Sequence, residues 1–224
     1  EIFGPVLHIT KYPSGSEEMI VNEINTMGYG LTFGIQSRID SNIELISKNI
    51  SAGNIYINRN QIGAVVGSQP FGGRGLSGTG PKAGGPLYLS AFKVKHDWDK
   101  EFNKSKQKSF MLAGPSGEEN NYKIDARGTV LVLHKNLKKR EKLRQIAISF
   151  GNSVFVKGEI PNSFEEYDVV MTTSDSGIEI KKLRQKMCLS SSRIIPLVLD
   201  EGGYVWLQSE KHVCRDLTAS GGNT

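Results

Sequence analysis

The chain has 224 residues, 38% of them hydrophobic, and a formal net charge of +5. That is enough apolar material for one or two packed cores. No apolar run reaches the roughly 18 residues that a membrane span needs, and no basic-then-apolar signal segment opens the sequence. The sequence starts at Glu1, inside a strand-like stretch, and so reads as an excised or truncated piece. Lys135, Lys138, Lys139, Arg140, Lys142 and Arg144 form one dense basic run, which reads as the solvated face of a helix. No zinc-finger, homeodomain or RNA-binding signature accompanies it, so nucleic acid is not an expected partner. The two cysteines, Cys188 and Cys214, lack metal-ligand spacing and are too few for a disulfide framework. Both read as small buried hydrophobes. With no signal segment, this points to a reducing cytoplasm.

Residues 1 to about 98 alternate strand-like and helix-like segments. Ile2 to Tyr12 is apolar and β-branched and reads as a strand. Glu17 to Met27 has helical spacing, with Met19, Ile20, Ile24 and Met27 on one stripe and Ser16 as N-cap. Leu31 to Ser37 reads as a short strand. Asp40 to Ile50 reads as a helix with Ile43, Ile46 and Ile50 on one face, and Asn54 to Asn58 as a buried strand. A glycine-rich loop runs from Gly63 to Gly85, and a loop that long inside a compact unit is either functional or disordered. Phe71 and the prolines beside it argue for an ordered, functional one. Leu87 to Val94 reads as a closing strand. Residues 99–121 are polar and read as a linker.

Residues 122–224 read as a second α/β unit. Strands are expected at Thr129 to Leu133, Ser153 to Val156, Val169 to Thr172 and Ile194 to Leu199. Helices are expected at Leu137 to Phe150, stopped by Gly151, and at Ile178 to Met187. This alternation implies a mostly parallel sheet.

Gly73-Arg74-Gly75-Leu76-Ser77-Gly78 fits the spacing G-x-G-x-x-G. A dinucleotide fingerprint needs a strand before it and a helix after it. Here the match sits inside a loop with Gly80 and Pro81 behind it, so a Rossmann phosphate site is not expected. The longer stretch from Ile62 to Pro86 is far more specific. Its core, Pro70-Phe71-Gly72-Gly73 with Ser77-Gly78, is similar to the substrate-side loop of aldehyde dehydrogenases. Gly63-Ala64-Val65-Val66-Gly67 and Gly78-Thr79-Gly80-Pro81-Lys82-Ala83-Gly84-Gly85-Pro86 resemble the glutamate-semialdehyde dehydrogenase of the proline utilization A family. Glu1-Ile2-Phe3-Gly4-Pro5, Tyr29-Gly30-Leu31-Thr32 and Ala52-Gly53-Asn54-Ile55-Tyr56-Ile57-Asn58 follow the superfamily's order. In the second unit, Gly117-Glu118-Glu119-Asn120, Arg127-Gly128-Thr129-Val130-Leu131, Gly151-Asn152-Ser153-Val154 and the closing Leu217 to Thr224 look like the extra domain of long members of that family.

The resemblance implies an α/β fold: the C-terminal part of an aldehyde dehydrogenase catalytic domain, followed by a second Rossmann-like α/β domain. It implies NAD-dependent oxidation of glutamate γ-semialdehyde to glutamate in proline breakdown. Glu1 is implied to bind the nicotinamide ribose hydroxyls, chemistry that suits a carboxylate, and Phe3 to pack near the nicotinamide ring. The backbone N–H groups of Gly63 and Ala64 are implied to hold the substrate's α-carboxylate, as backbone concavities hold anions. Phe71 is implied to wall the aliphatic part of the aldehyde. The closing segment is implied to cover the dehydrogenase module, and the strand near Leu87 to join a dimerisation flap, so that a homo-oligomer is expected. In the family the nucleophilic cysteine, its general-base glutamate and the cofactor domain precede the Glu1 segment, and the FAD-dependent proline dehydrogenase domain lies earlier still. Neither cysteine here matches the nucleophile motif, so no catalytic residue is assigned, no metal is expected and the chain alone is expected to be inactive. A non-catalytic interaction unit that completes a separately encoded dehydrogenase piece remains the alternative.

Overall fold

Apolar residues at helical and at alternating spacing set most of the elements in the computed structural model, which describes residues 2, 4–92, 108–189, 194–199 and 203–218. The first region holds α1 (Glu17–Thr26), β1 (Tyr29–Gly30), β2 (Thr32–Ile35), α2 (Asp40–Asn49), β3 (Asn54–Ile57), β4 (Arg74–Gly75) and a 3₁₀ turn at Tyr88–Phe92. There follow β5 (Lys108–Leu112), β6 (Glu118–Ala126), β7 (Thr129–Leu133), α3 (Leu137–Ser149), β8 (Ser153–Lys157), β9 (Val169–Thr172), α4 (Ile180–Leu189), β10 (Leu197–Leu199), a second 3₁₀ turn at Tyr204–Leu207 and β11 (Gln208–Asp216).

One sheet is parallel throughout, in the order β10-β9-β7-β8. Its central strand β7 is apolar on both faces, as a doubly covered parallel strand must be. Val130 and Val132 face one way and pack with Leu143, Ile146 and Ala147 of α3. Leu131 and Leu133 face the other way and pack with Leu183 and Met187 of α4. Asn136 caps α3 by accepting from the Lys139 N–H at 3.1 Å. Gly151, at φ 83°, ends that segment where the sequence placed its stop.

The second sheet is mixed, in the order β2-β3-β11-β6-β5. β2, β3 and β11 run parallel, whereas β6 and β5 are antiparallel additions. α1 and α2 cover it through Val21, Ile43 and Ile50, which pack on Ile35, Ile55 and Ile57. Val213 of β11 joins that cluster, so the two ends of the chain share a core. Lys211 also reaches across: its Nζ donates to the carbonyls of Ser47, Lys48 and Ile50 at 3.0–3.3 Å. A cation at the end of α2 satisfies carbonyls that no helical N–H can reach.

Several expectations are corrected. The described residues between Ile2 and Tyr12 form no strand, and Leu7 and Ile9 are exposed, because no described strand lies alongside to complete a ladder. In place of the expected closing strand, Leu87 lies in a turn and Tyr88–Phe92 is 3₁₀, with Tyr88 N–H donating to Gly85 O at 3.0 Å and the rings of Tyr88 and Phe92 meeting edge to face. Lys93 and Val94 lie outside the described residues. Within the stretch read as a linker, residues 108–112 are strand and β6 begins at Glu118, since β11 supplies a nine-residue partner that polar composition does not announce. The buried centre of α1 is Val21, while Met19 and Met27 are exposed, and Ser16 makes no side-chain cap bond. Cys214 is buried but Cys188 is exposed at the end of α4.

Ile55 is fully buried on β3 between both neighbouring strands. Ile55→Ala is expected to lower unfolding stability by about 2–5 kcal/mol, through lost burial plus a cavity. Denaturant unfolding monitored by circular dichroism checks this, and a loss under 1 kcal/mol would contradict the assigned core.

Candidate functional site

The glycine-rich loop is built onto β3 through one asparagine. Asn54 is fully buried; its Nδ2 donates to Pro70 O at 2.9 Å and its Oδ1 accepts the Gly72 N–H at 3.1 Å. The same Oδ1 accepts from Lys82 Nζ at 2.6 Å, and that ammonium also donates to Gly72 O at 2.5 Å. Phe71 and Ala83 exchange backbone hydrogen bonds of 3.0 and 2.9 Å, which closes the loop on itself. Gly53 has to be glycine, because a Cβ there would lie 2.0 Å from Gly72 O. The fingerprint-like match at 73–78 holds only the two-residue strand β4, which pairs with β1, and no helix opens behind it.

Side chains from the second sheet hold this loop at two places. Glu210 of β11 accepts the Lys82 backbone N–H at 2.6 Å on Oε2, and its Oε1 accepts from the Tyr122 hydroxyl of β6. On the other side, Glu118 of β6 pairs with Arg59 at 2.6 Å and accepts from Gln69 Nε2 at 3.1 Å. Gln69 Oε1 in turn accepts the Val65 N–H at 3.0 Å, which ties the Gly63–Gly67 turn back to the residues just before Phe71. Cys214 Sγ sits beneath, 3.2 Å from Arg59 Nη1 and 3.4 Å from Gln69 Nε2.

Of the residues expected to form the site, Gly63 is exposed with φ 75°, Ala64 is half-buried, and Phe71 presents its ring at 36% exposure. Among the described residues nothing accepts from the N–H of Gly63 or Ala64. Val65, next in the chain to Ala64, is tied to the residues just before Phe71 through Gln69. Glu1 and Phe3 lie outside the described residues. Asn54, Gln69, Lys82 and Glu210 are the anchors that motif reading missed. Lys82 and Asn54 stand inside recognised segments, but their burial is invisible without β11, whose Glu210 is 128 positions from Lys82 and whose His212 sits opposite Asn54.

Burial dominates the electrostatics. It pushes Lys82 from 10.5 down to about 7 and Lys211 down to about 8, and raises the Glu210 carboxyl above the usual carboxylate range. His212 is fully buried and neither of its ring nitrogens has a hydrogen-bond partner among the described residues, so it falls from 6.5 to about 4. Burial raises the Cys214 thiol, which keeps it protonated and unreactive.

Between pH 7 and 10.5 the unfolded chain holds a proton on Lys82 that the folded chain has released, so folding stability is expected to rise with pH across that window. Between pH 6.5 and about 4, unfolding lets His212 take up a proton that its buried ring refuses, so stability falls as pH drops. Each slope is at most about 1.4 kcal/mol per pH unit. Urea unfolding of the chain, Lys82→Met and His212→Leu as a function of pH tests both; slopes unchanged in the variants would refute the assignment.

Residues 1–96 match the model of the aldehyde dehydrogenase family. The chain is 40% identical over 189 residues to the bifunctional protein PutA of Rhizobium meliloti, covering 70% of this chain and 15% of that protein. It is 58% identical over 89 residues to the bifunctional protein PutA of Klebsiella aerogenes, covering 40% of this chain and 7% of the relative. It is 46% identical over 89 residues to the 1-pyrroline-5-carboxylate dehydrogenase of Geobacillus sp. (strain WCH70), covering 40% of this chain and 17% of that protein. The solved structure of proline utilization A from Corynebacterium freiburgense superposes with a TM-score of 0.69 at 20% identity, covering 92% of this chain and 25% of that one, and shows the fold. This chain therefore spans well under a third of each of these relatives, and its likeness to the aldehyde dehydrogenase family rests on residues 1–96.

Proposed function

We propose that the chain is the substrate-loop end of an NAD-dependent L-glutamate γ-semialdehyde dehydrogenase that makes glutamate in proline catabolism, joined to a C-terminal α/β unit. The observation that carries this reading is the pairing, within one anchored loop, of the Gly63 and Ala64 N–H groups, which no described acceptor takes up, with the partly exposed ring of Phe71. Two amides presented together by a glycine at positive φ suit a carboxylate, and an aromatic wall nearby suits the short aliphatic chain between that carboxylate and the aldehyde. The relatives named as PutA and as 1-pyrroline-5-carboxylate dehydrogenase support the same substrate class.

In this reading Glu1 and Phe3 meet the nicotinamide cofactor, which would accept the hydride, and FAD belongs to a proline dehydrogenase domain of the parent polypeptide. The parent is cytoplasmic and assembles as a homo-oligomer. The nucleophile is not supplied here: Cys188 lies on α4, far in sequence from the loop, and Cys214, although beside Gln69, is fully buried with a raised thiol. The 224 residues alone do not reduce NAD.

A second reading draws on the grip of the mixed sheet on the loop through Glu210 and Glu118: the chain completes a separately encoded dehydrogenase piece as a non-catalytic unit. An assay of NAD reduction with pyrroline-5-carboxylate tests both. In the parent polypeptide, Phe71→Ala and Gly63→Pro are expected to raise KM for the aldehyde about 10-fold or more, on the scale of one lost binding contact. Unchanged kinetics in both variants would refute the loop's role, and NADH formation by the isolated chain would refute its inactivity.

A further inference from the structure

A cavity of about 170 Å³ opens where the glycine-rich loop meets the second unit. Arg74, Thr79 and Tyr29 line it from one side; Arg127, Asp168 and Ser209 line it from the other. Arg74 is held in place by its backbone: it pairs with Gly30 in the β1–β4 ladder, and its carbonyl accepts the Ser77 N–H at 3.0 Å. Its side chain is less well served. Nε and Nη2 are both shut off from solvent and have no hydrogen-bond partner among the described residues. A guanidinium carries five N–H donors in a planar fork, and two adjacent buried donors without acceptors are costly.

The neighbouring carboxylates do not fill that fork. Asp125, Glu210 and Asp168 act on Arg74 only through charge. Both oxygens of Glu210 accept from Lys82 N–H and Tyr122 OH, and Asp168 Oδ2 accepts the Thr129 N–H at 2.8 Å. Burial pushes the Arg74 guanidinium below its ordinary range, as expected when the charge has lost water and gained no direct partner. Nε with one Nη is the face of arginine that takes two oxygens of a planar acid side by side. Asp168 and Glu210 share the lining with Arg74, Lys82 and Arg127, one cation more than the carboxylates, which suits a singly charged small acid better than a doubly charged phosphate. The volume admits a molecule of a few heavy atoms.

We propose that Arg74 and this cavity form a binding site for a small monocarboxylate, held by the Arg74 fork at the junction of the two units. Ligand there ties the loop carrying Lys82 to the strand carrying Glu210, since both border the cavity.

The test uses the full chain with acetate as probe, against chloride and inorganic phosphate at matched ionic strength. Acetate is expected to raise the thermal midpoint saturably, and phosphate much less. Arg74→Gln is expected to abolish the acetate response while raising the midpoint of the ligand-free chain, because it removes a buried charge without a partner. Arg74→Lys, which keeps the charge and loses the fork, is expected to weaken acetate at least 10-fold. Saturation transfer to the acetate methyl protons in the unaltered chain gives a readout independent of variant folding. No acetate response in either measurement, an equal response in Arg74→Gln or Arg74→Lys, or phosphate matching acetate would overturn the proposal.

Discussion

The pairing of β11 with β3 is the contact on which the rest depends. Parallel strands cannot be joined by a tight turn, and here the two partners are separated by most of the chain: His212 sits opposite Asn54 and Arg215 opposite Ile57. That ladder makes β3 an interior strand, buried on both faces, and it carries β6 and β5 along as an antiparallel extension. Without it, β3 would expose an edge that another chain could pair with, and Asn54 would lose the enclosure in which it holds the loop.

Everything polar at the junction follows from that enclosure. Once β11 lies against β3, Glu210, Lys211 and His212 occupy positions where water is largely excluded. Buried charges are costly without partners. Glu210 finds the Lys82 amide and the Tyr122 hydroxyl, and Lys211 finds the last carbonyls of α2. The loop therefore takes its shape from acceptors on the second sheet as much as from its glycines. This also explains why β11, from near the end of the sequence, is as important to residues 63–85 as the residues flanking them.

The parallel sheet is the simpler half. Its strands are short apolar runs, its helices have one apolar stripe each, and the two cores on either side of β7 separate by the parity of the residue number. Such elements carry their own signal, so β7, α3, β8 and β9 lie within a residue or two of where the periodicity puts them. The mixed sheet gave no such signal. β6 is Glu118–Ala126, rich in Glu and Asn, and β11 is Gln208–Asp216, with five charged or imidazole side chains. Polar strands of this kind form because a partner of matching length completes their backbone hydrogen bonds.

The sequence by itself determined the α/β class, the parallel unit, the ordered glycine-rich loop and the family to which that loop points, because each is written locally in spacing or in a contiguous motif. Only the tertiary structure decided that residues 108–112 and 118–121 are strand rather than linker, that Ile2 to Tyr12 forms none among its described residues, that Lys82 and Asn54 anchor the loop, and that Arg74 faces a cavity. The physical reason is the same in each case. A residue's burial and its hydrogen-bond partners come from segments distant in sequence, and no local pattern in residues 63–85 records that Glu118 and Glu210 will stand beside them.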